Sequence, residues 1–280
     1  KLPVRATPNV IAVHSGVESL NQGQTILISF DFGPSTVTEL GPMARAILHH
    51  CFRKELRVIA VTLVPEGQGI TQSILDEVAA DYGAKYGDDF VYLGYKAGNE
   101  AVILNMGQDL RRAFAKDVRG NTLASMAVTR SITSLRDIPY VIDLSAGYPG
   151  VDEWIQYGQE RYGFKLAAGV TAVMAPDVFP FLDSGQLQGL LGGLAGAAEY
   201  EHLIDREDQA VSGMRPQSVG HVIIIVLIAG IAQAVGIAVD LISIRNFPAI
   251  VFPINSSIVV IVRVAIVAEA IGFVVRPVVV

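Results

Sequence analysis

Residues 25–51 read TILISFDFGPSTVTELGPMARAILHHC, and residues 57–64 read RVIAVTLV. The opening run, Thr25–Phe30, has little in–out alternation, the pattern of a strand covered on both faces. Asp31 to Thr36, with Gly33 and Pro34, supplies turn chemistry. In Leu40–Cys51 the apolar positions Leu40, Ala44, Ile47, Leu48 and Cys51 follow i, i+4, i+7, i+8, i+11, which is helical spacing. Thr38 is predicted to cap this helix, and Pro42 then falls in its first turn, where a missing N–H is tolerated. A second apolar strand, Arg57–Val64, follows. Strand, helix, strand in this order implies parallel strands joined by a right-handed crossover.

The same alternation runs on. Phe90–Leu93 (FVYL), Tyr140–Leu144 (YVIDL) and Lys165–Ala172 (KLAAGVTA) are further extended runs. Between them, Ile70, Ile74, Val78 and Tyr82 form a helical stripe that Gly83 closes. Further helices are predicted over Glu100–Phe114 and over Val151–Tyr162, the latter with Asp152 near its start and Gly163 after its end. The predicted fold is α/β: a doubly wound, mainly parallel five-stranded sheet, Rossmann-like. A TIM barrel needs about eight such units and some 250 residues, and no repeat of fixed period is present.

The chain has 280 residues, 51% hydrophobic and 17% charged, with a net charge of −6. Its mean hydropathy is +0.44. Soluble domains average about 25% charged residues, so this composition excludes disorder and a basic nucleic-acid-binding tail. It points to a soluble domain joined to a lipid-embedded one. A single cysteine, Cys51, excludes an internal disulfide framework and any multi-cysteine metal site. Cys51 lies on the apolar face of its helix, where a thiol packs and stays inert.

Charge is concentrated before residue 217. From Val222 onward only Asp240, Arg245, Arg263, Glu269 and Arg276 are charged. Val222–Val239 (VIIIVLIAGIAQAVGIAV) carries none, and extended to Ile244 it is long enough, as a helix, to cross a ~30 Å hydrocarbon core. The predicted organisation is therefore an N-terminal segment, 1–23, read as the stub of a longer chain; a soluble α/β domain, 24–216; a transmembrane helix, 217–245; and an apolar tail, 246–280. Within the tail, Ile258–Val275 is a candidate second membrane segment, although Arg263 and Glu269 would each cost about 2.5–3.5 kcal/mol at a helix centre. The opening KLPVRATP has no signal-peptide pattern.

In open parallel sheets ligands sit beyond the carboxyl ends of the strands. Asp31 and Asp143 end their strands at matching positions. Two carboxylates there can hold a metal, share a proton, or simply cap the following turns. Ser35 and Thr36 follow Asp31. The loop Gly94–Glu100 (GYKAGNE) offers Lys96 and the backbone N–H groups around Gly98 and Asn99 to an anion at a helix start, or serves only as a tight turn. It is not a Walker A loop, and neither GxSxG nor HExxH occurs. The adjacent His49 and His50 point to different helix faces, so no metal ligands are assigned. The glycine-rich run Gly185–Glu201 (GQLQGLLGGLAGAAEYE) read as a helix places Gly189, Gly192, Gly193 and Gly196 on one small-residue face, suited to close approach of another helix or to packing on the chain's own sheet.

The phrases SFDFGPST (29–36), GYKAGNEAVILNMGQDL (94–110), YGQERYGFKLAAGVTAVMAPD (157–177), GQLQGLLGGLAGAAEYE (185–201) and MRPQSVGH (214–221) come in an order that resembles a family of bacterial membrane proteins carrying a domain of unknown function. The resemblance covers about Gln24–Val239 and implies an α/β domain held between membrane segments. It implies no activity and no catalytic residue.

The expected function is that of a non-catalytic, membrane-anchored accessory or assembly subunit. Its partners would be other membrane subunits, copies of itself and the lipid bilayer, with no nucleic acid and no cofactor. The alternative is a binding module or enzyme for a small anionic ligand at the carboxyl edge of the sheet. The expected location is the cell membrane. Lys1, Arg5, Arg206 and Arg215, set against Arg245, Arg263 and Arg276, tip the positive-inside count slightly toward a cytoplasmic domain.

Overall fold

The computed structural model describes residues 5–206, 210, 224–228, 250–254 and 258–262. The chain divides into two compact units, Lys1–Pro216 and Gln217–Val280.

The first unit begins with helix α1 (Pro8–Glu18), strand β1 (Thr25–Asp31), α2 (Val37–Arg53), β2 (Arg57–Thr62), α3 (Gln68–Tyr82), β3 (Phe90–Tyr95) and α4 (Asn99–Gln108). Two one-turn helices, α5 (Leu110–Ala113) and α6 (Ala127–Arg130), precede β4 (Tyr140–Ser145). A helical segment follows that starts as α7 (Val151–Glu153), widens into a π-helical stretch, Trp154–Gln159, and ends as α8 (Glu160–Tyr162). Then come β5 (Lys165–Val170), α9 (Ala175–Asp183), β6 (Leu190–Gly192) and α10 (Gly193–Leu203).

The six strands are all parallel, in the order β3-β2-β1-β4-β5-β6. This is the Rossmann-like doubly wound order, with its switch point between β1 and β4. All seven residues of β1 are buried, as a central strand covered on both faces requires. Alternate side chains feed two separate cores. Ile26, Ile28 and Phe30 pack with residues of α1, α2, α3 and α10, including Val13, Ile47, Val78 and Ala197. Leu27 and the equivalent positions of β2, β4 and β5 pack with α4, α7, the π-helical stretch and α9, through Ile103, Val151, Trp154 and Val178.

The sheet therefore has six strands where the sequence predicts five. The sixth, Leu190–Gly192, lies inside the glycine-rich run predicted as a helix face. It is only three residues long, and it pairs Leu190 with Ala168 and Leu191 with Gly169. The segment 1–23, set apart by the sequence, supplies α1 to the same core through buried Val10, Val13 and Val17. The helix predicted over Glu100–Phe114 is broken at Asp109, which turns extended and caps α5 by accepting the Arg111 N–H. Short acidic side chains compete for backbone donors in this way. α2 starts after Thr36, not Thr38, so Pro42 lies inside the helix. α3 stops where predicted, at Gly83, whose φ of +61° is left-handed.

In the second unit, β7 (Ile250–Ile254) and β8 (Ile258–Val262) pair antiparallel, Ile250 opposite Val262 and Ile254 opposite Ile258. β8 covers the first residues of the candidate second membrane segment, and the rest of that run lies outside the described residues. Residues 224–228 are helical. The remainder of the transmembrane helix predicted over 217–245 also lies outside the described residues. Among the described residues no helix is long and apolar enough to cross a membrane.

Candidate functional site

The switch point brings the two sequence-selected aspartates together. Ser29 pairs in register with Asp143, and Asp31 with Ser145. Alternation along each strand then sets all four side chains on one face of the sheet. Asp31 is 2% exposed and Asp143 is fully buried. Asp31 Oδ2 accepts from Ser29 Oγ at 2.6 Å and from Trp154 Nε1 at 3.1 Å, while its Oδ1 accepts the Leu63 N–H at 2.6 Å. Asp143 Oδ2 accepts from Ser145 Oγ at 2.7 Å, and its Oδ1 has no donor among the described residues.

That imbalance places a proton. Two buried carboxyls in contact cannot both ionise cheaply. Three donors favour charge on Asp31; one donor leaves Asp143 the better proton carrier. Burial raises both acids, and the Asp31 charge raises Asp143 further. A neutral Asp143 becomes a donor toward Asp31 and removes its own unsatisfied oxygen. The pair is closed off from above. A Cβ on Gly150 would lie 2.7 Å from Ser145 Oγ and 2.4 Å from the Gly147 carbonyl, so only glycine lets the chain pass this closely.

The other sequence-selected residues do not converge on this pair. Ser35 is exposed, and the Thr36 hydroxyl donates to the Gly33 carbonyl at 3.4 Å. Lys96 donates to the Ala113 carbonyl, with its ammonium 5.8 Å from the Phe114 ring centroid. Gly98 has a φ of +118° and lets the chain enter α4 at Asn99. The next residue, Glu100, accepts from Tyr148 Oη at 2.8 Å.

Beside these loops, at the carboxyl ends of β4 and β5, lies a cavity of about 210 Å³ lined by Gly147, Tyr148, Val151, Met174, Val178 and three carboxylates, Asp152, Glu153 and Asp177. Glu153 accepts the Gly150 N–H at 2.8 Å, and burial, followed by the charges of Asp152 and Glu100, pushes its pKa up. The local field is negative, opposite in sign to what an anionic ligand requires. Ser145 is buried against Asp143, and the described histidines, His14, His49, His50 and His202, sit on α1, α2 and α10 across the sheet. No serine–histidine pair forms at this edge among the described residues.

The glycine-rich run packs within its own unit. A Cβ on Gly189 would lie 2.7 Å from the Val13 nitrogen and 2.8 Å from the Asn9 oxygen, so α1 does approach this glycine closely. A Cβ on Gly193 would meet Ala172, one on Gly196 the Leu191 backbone, and one on Gly192 would lie 3.2 Å from the Ala175 side chain. Only Gly193 and Gly196 belong to a helix.

A cluster that the sequence leaves unassigned lies on the other face. His14 and Glu18 are one turn apart on α1, and His50 reaches them from α2. The signal was the His-x-x-x-Glu spacing, which carries meaning only once residues 8–18 are known to be helical. Cys51, next to His50, is a buried thiol pushed up to about 12 by burial, as an inert core cysteine should be.

No family model and no curated protein matches the sequence. Among solved structures, a trehalose-6-phosphate synthase, OtsA, is similar at a TM-score of 0.26 and 11% identity, over 76% of this chain and 46% of that one. The chain thus spans about half the length of that enzyme, and a likeness this slight carries no argument about function.

Proposed function

We propose that the chain is a non-catalytic accessory or assembly subunit, anchored in a membrane by its apolar C-terminal run. The observation that carries this reading is the helical stretch 224–228. Ile224, Val226, Leu227 and Ile228 are 53%, 54%, 58% and 53% exposed. At about 100° per residue these four positions spread over about 200° of the helix surface, and the partly buried Ile225 occupies the remaining arc, so the stretch is apolar all round. Keeping such side chains in water forgoes about 1.5–3 kcal/mol each. A lipid or protein environment removes that cost. The uncharged run Val222–Val239 has the composition for lipid.

The α/β unit supports the non-catalytic part. Its switch-point acids are closed over, Lys96 is held by a backbone carbonyl, and the neighbouring cavity is lined with carboxylates. The alternative, an anion bound at this edge, gains no support from that charge. The partners are other membrane subunits or copies of the chain, with the soluble unit tipped toward the cytoplasm by the charge count.

The test is membrane fractionation of the full chain with alkaline carbonate extraction, followed by purification in mild detergent and mass spectrometry of co-purifying proteins. The reading expects the chain in the carbonate-resistant pellet, with stoichiometric membrane-protein partners or a homo-oligomer. A full chain that stays in the soluble fraction as a monomer overturns it.

A further inference from the structure

We propose that His14, Glu18 and His50 form a site for one divalent transition-metal ion of the zinc type. α1 presents His14 and Glu18 at i and i+4, on the same helix face. α2 presents His50 to the same point. One donor atom from each of the three lies within 4.8 Å of the other two. Glu18 Oε1 is 4.0 Å from His14 Nε2 and 2.7 Å from His50 Nε2. Tetrahedral zinc, with bonds of about 2.0–2.1 Å, sets its donors roughly 3.3 Å apart. The two Glu18 separations bracket that value, and the third pair, His14 with His50, stands within 4.8 Å. Because the two rings are stacked, the part-exposed His14 must turn along with Glu18 for both imidazoles to aim at one ion.

The donor chemistry selects the ion. Two imidazole nitrogens and one carboxylate oxygen suit zinc, cobalt or nickel, whereas calcium and magnesium prefer all-oxygen sets. The surroundings also resemble those of a built ligand set. His50 is fully buried, and its Nδ1 lies 2.7 Å from the Tyr200 hydroxyl of α10. Metal-bound histidines are oriented by such a bond on their second nitrogen. Without metal, Nε2–H donates to Glu18 and Nδ1 accepts from Tyr200. With metal, the proton resides on Nδ1 and donates to the Tyr200 oxygen, which can both give and accept. His14 stacks on the His50 ring with centroids 4.7 Å apart.

Lys54 Nζ sits 2.9 Å from Glu18 Oε2 and leaves Oε1 for the ion, while its charge and that of Arg53 reduce the affinity. The Glu18 side chain is 44% exposed, so an ion can enter from solvent and keep a water as its fourth ligand. Such an ion would join α1 to α2, and through Tyr200 to α10. This goes beyond the accessory role and does not depend on it.

The experiment uses the full chain in mild detergent, without a histidine tag and stripped of metal by chelation. Zn²⁺ is titrated by calorimetry, and Co²⁺ by its visible ligand-field absorption. The expected result is one ion per chain, with the intense absorption of four-coordinate cobalt. His14→Ala and Glu18→Gln should each weaken binding at least about tenfold, with unchanged circular dichroism. Lys54→Met should leave binding intact or tighten it. Because Glu18 is exposed, E18Q remains informative if H14A fails to fold. Absence of saturable Zn²⁺ and Co²⁺ binding overturns the proposal, as does binding unchanged in both ligand variants.

Discussion

Asp31 lies opposite Ser145 and Asp143 opposite Ser29 across the junction of β1 and β4, so the two acids meet with a serine beside each. Most of the donors belong to Asp31. This asymmetry orders the two acids: burial raises both, and Asp143, with fewer donors and the Asp31 charge beside it, holds a proton more readily than Asp31.

The proton has a consequence for stability. In the unfolded chain an aspartic acid ionises near pH ~3.9. In the fold, burial first and the Asp31 charge second hold Asp143 well above that value. Between the two the folded state binds the extra proton, so stability falls as pH rises, by up to about 1.4 kcal/mol per pH unit. Asp143→Asn keeps a donor for Asp31 and cannot ionise. As pH rises above the ordinary carboxylate range of about 4, its urea midpoint should decline less than that of the parent protein. Parallel profiles for the two proteins would refute the proton on Asp143.

Trp154 tests the donor count from the other side. Its Nε1–H on Asp31 Oδ2 is one of the three bonds that favour charge there. Trp154→Phe keeps most of the buried ring and removes the donor. The cost should be about 1–3 kcal/mol, the penalty for a buried acceptor losing a bond, read as a lower urea midpoint with an unchanged slope.

Gly189 and Gly69 should respond oppositely to the same change. A methyl at Gly189 meets the α1 backbone within 2.8 Å, whereas at Gly69, inside α3, it meets nothing within 4 Å. Gly189→Ala should therefore lose about 1–3 kcal/mol to overpacking. Gly69→Ala should gain up to about 1 kcal/mol from helix propensity. Thermal unfolding of the two variants side by side checks both signs.

The sheet was legible because its central strands are long apolar runs separated by helices of clear 3.6-residue period. Both signals survive without knowledge of neighbours. The convergence of Asp31 and Asp143 was legible for the same reason, since parallel strands align their carboxyl ends. β6 was not, because two leucines between glycines carry no periodicity and become a strand only beside β5. Lys96 shows the limit of composition. A lysine in a glycine loop suggests an anion, yet the carbonyl that holds it comes from Ala113, a residue no local pattern connects to it. His14 and His50 likewise meet only through the packing of α1 on α2.

Tyr140 offers a test in which removing a polar group should help. The residue is 1% exposed, and its hydroxyl has no hydrogen-bond partner among the described residues. Burial alone pushes its pKa up, with no neighbouring charge or bond contributing. The hydroxyl sits where a side chain on Gly16 would be, 2.1 Å from the position of a Cβ there, so α1 rests directly on it. On folding this oxygen gives up its water and receives nothing in return, a debit of about 1–3 kcal/mol. Tyr140→Phe removes the debit and leaves the ring packed between β4 and α1. The melting temperature should rise, and the near-ultraviolet circular dichroism should keep its form apart from the lost tyrosine signal. A fall of several degrees would show instead that the hydroxyl is satisfied by a buried water, since a water bridging α1 and β4 would be lost with it.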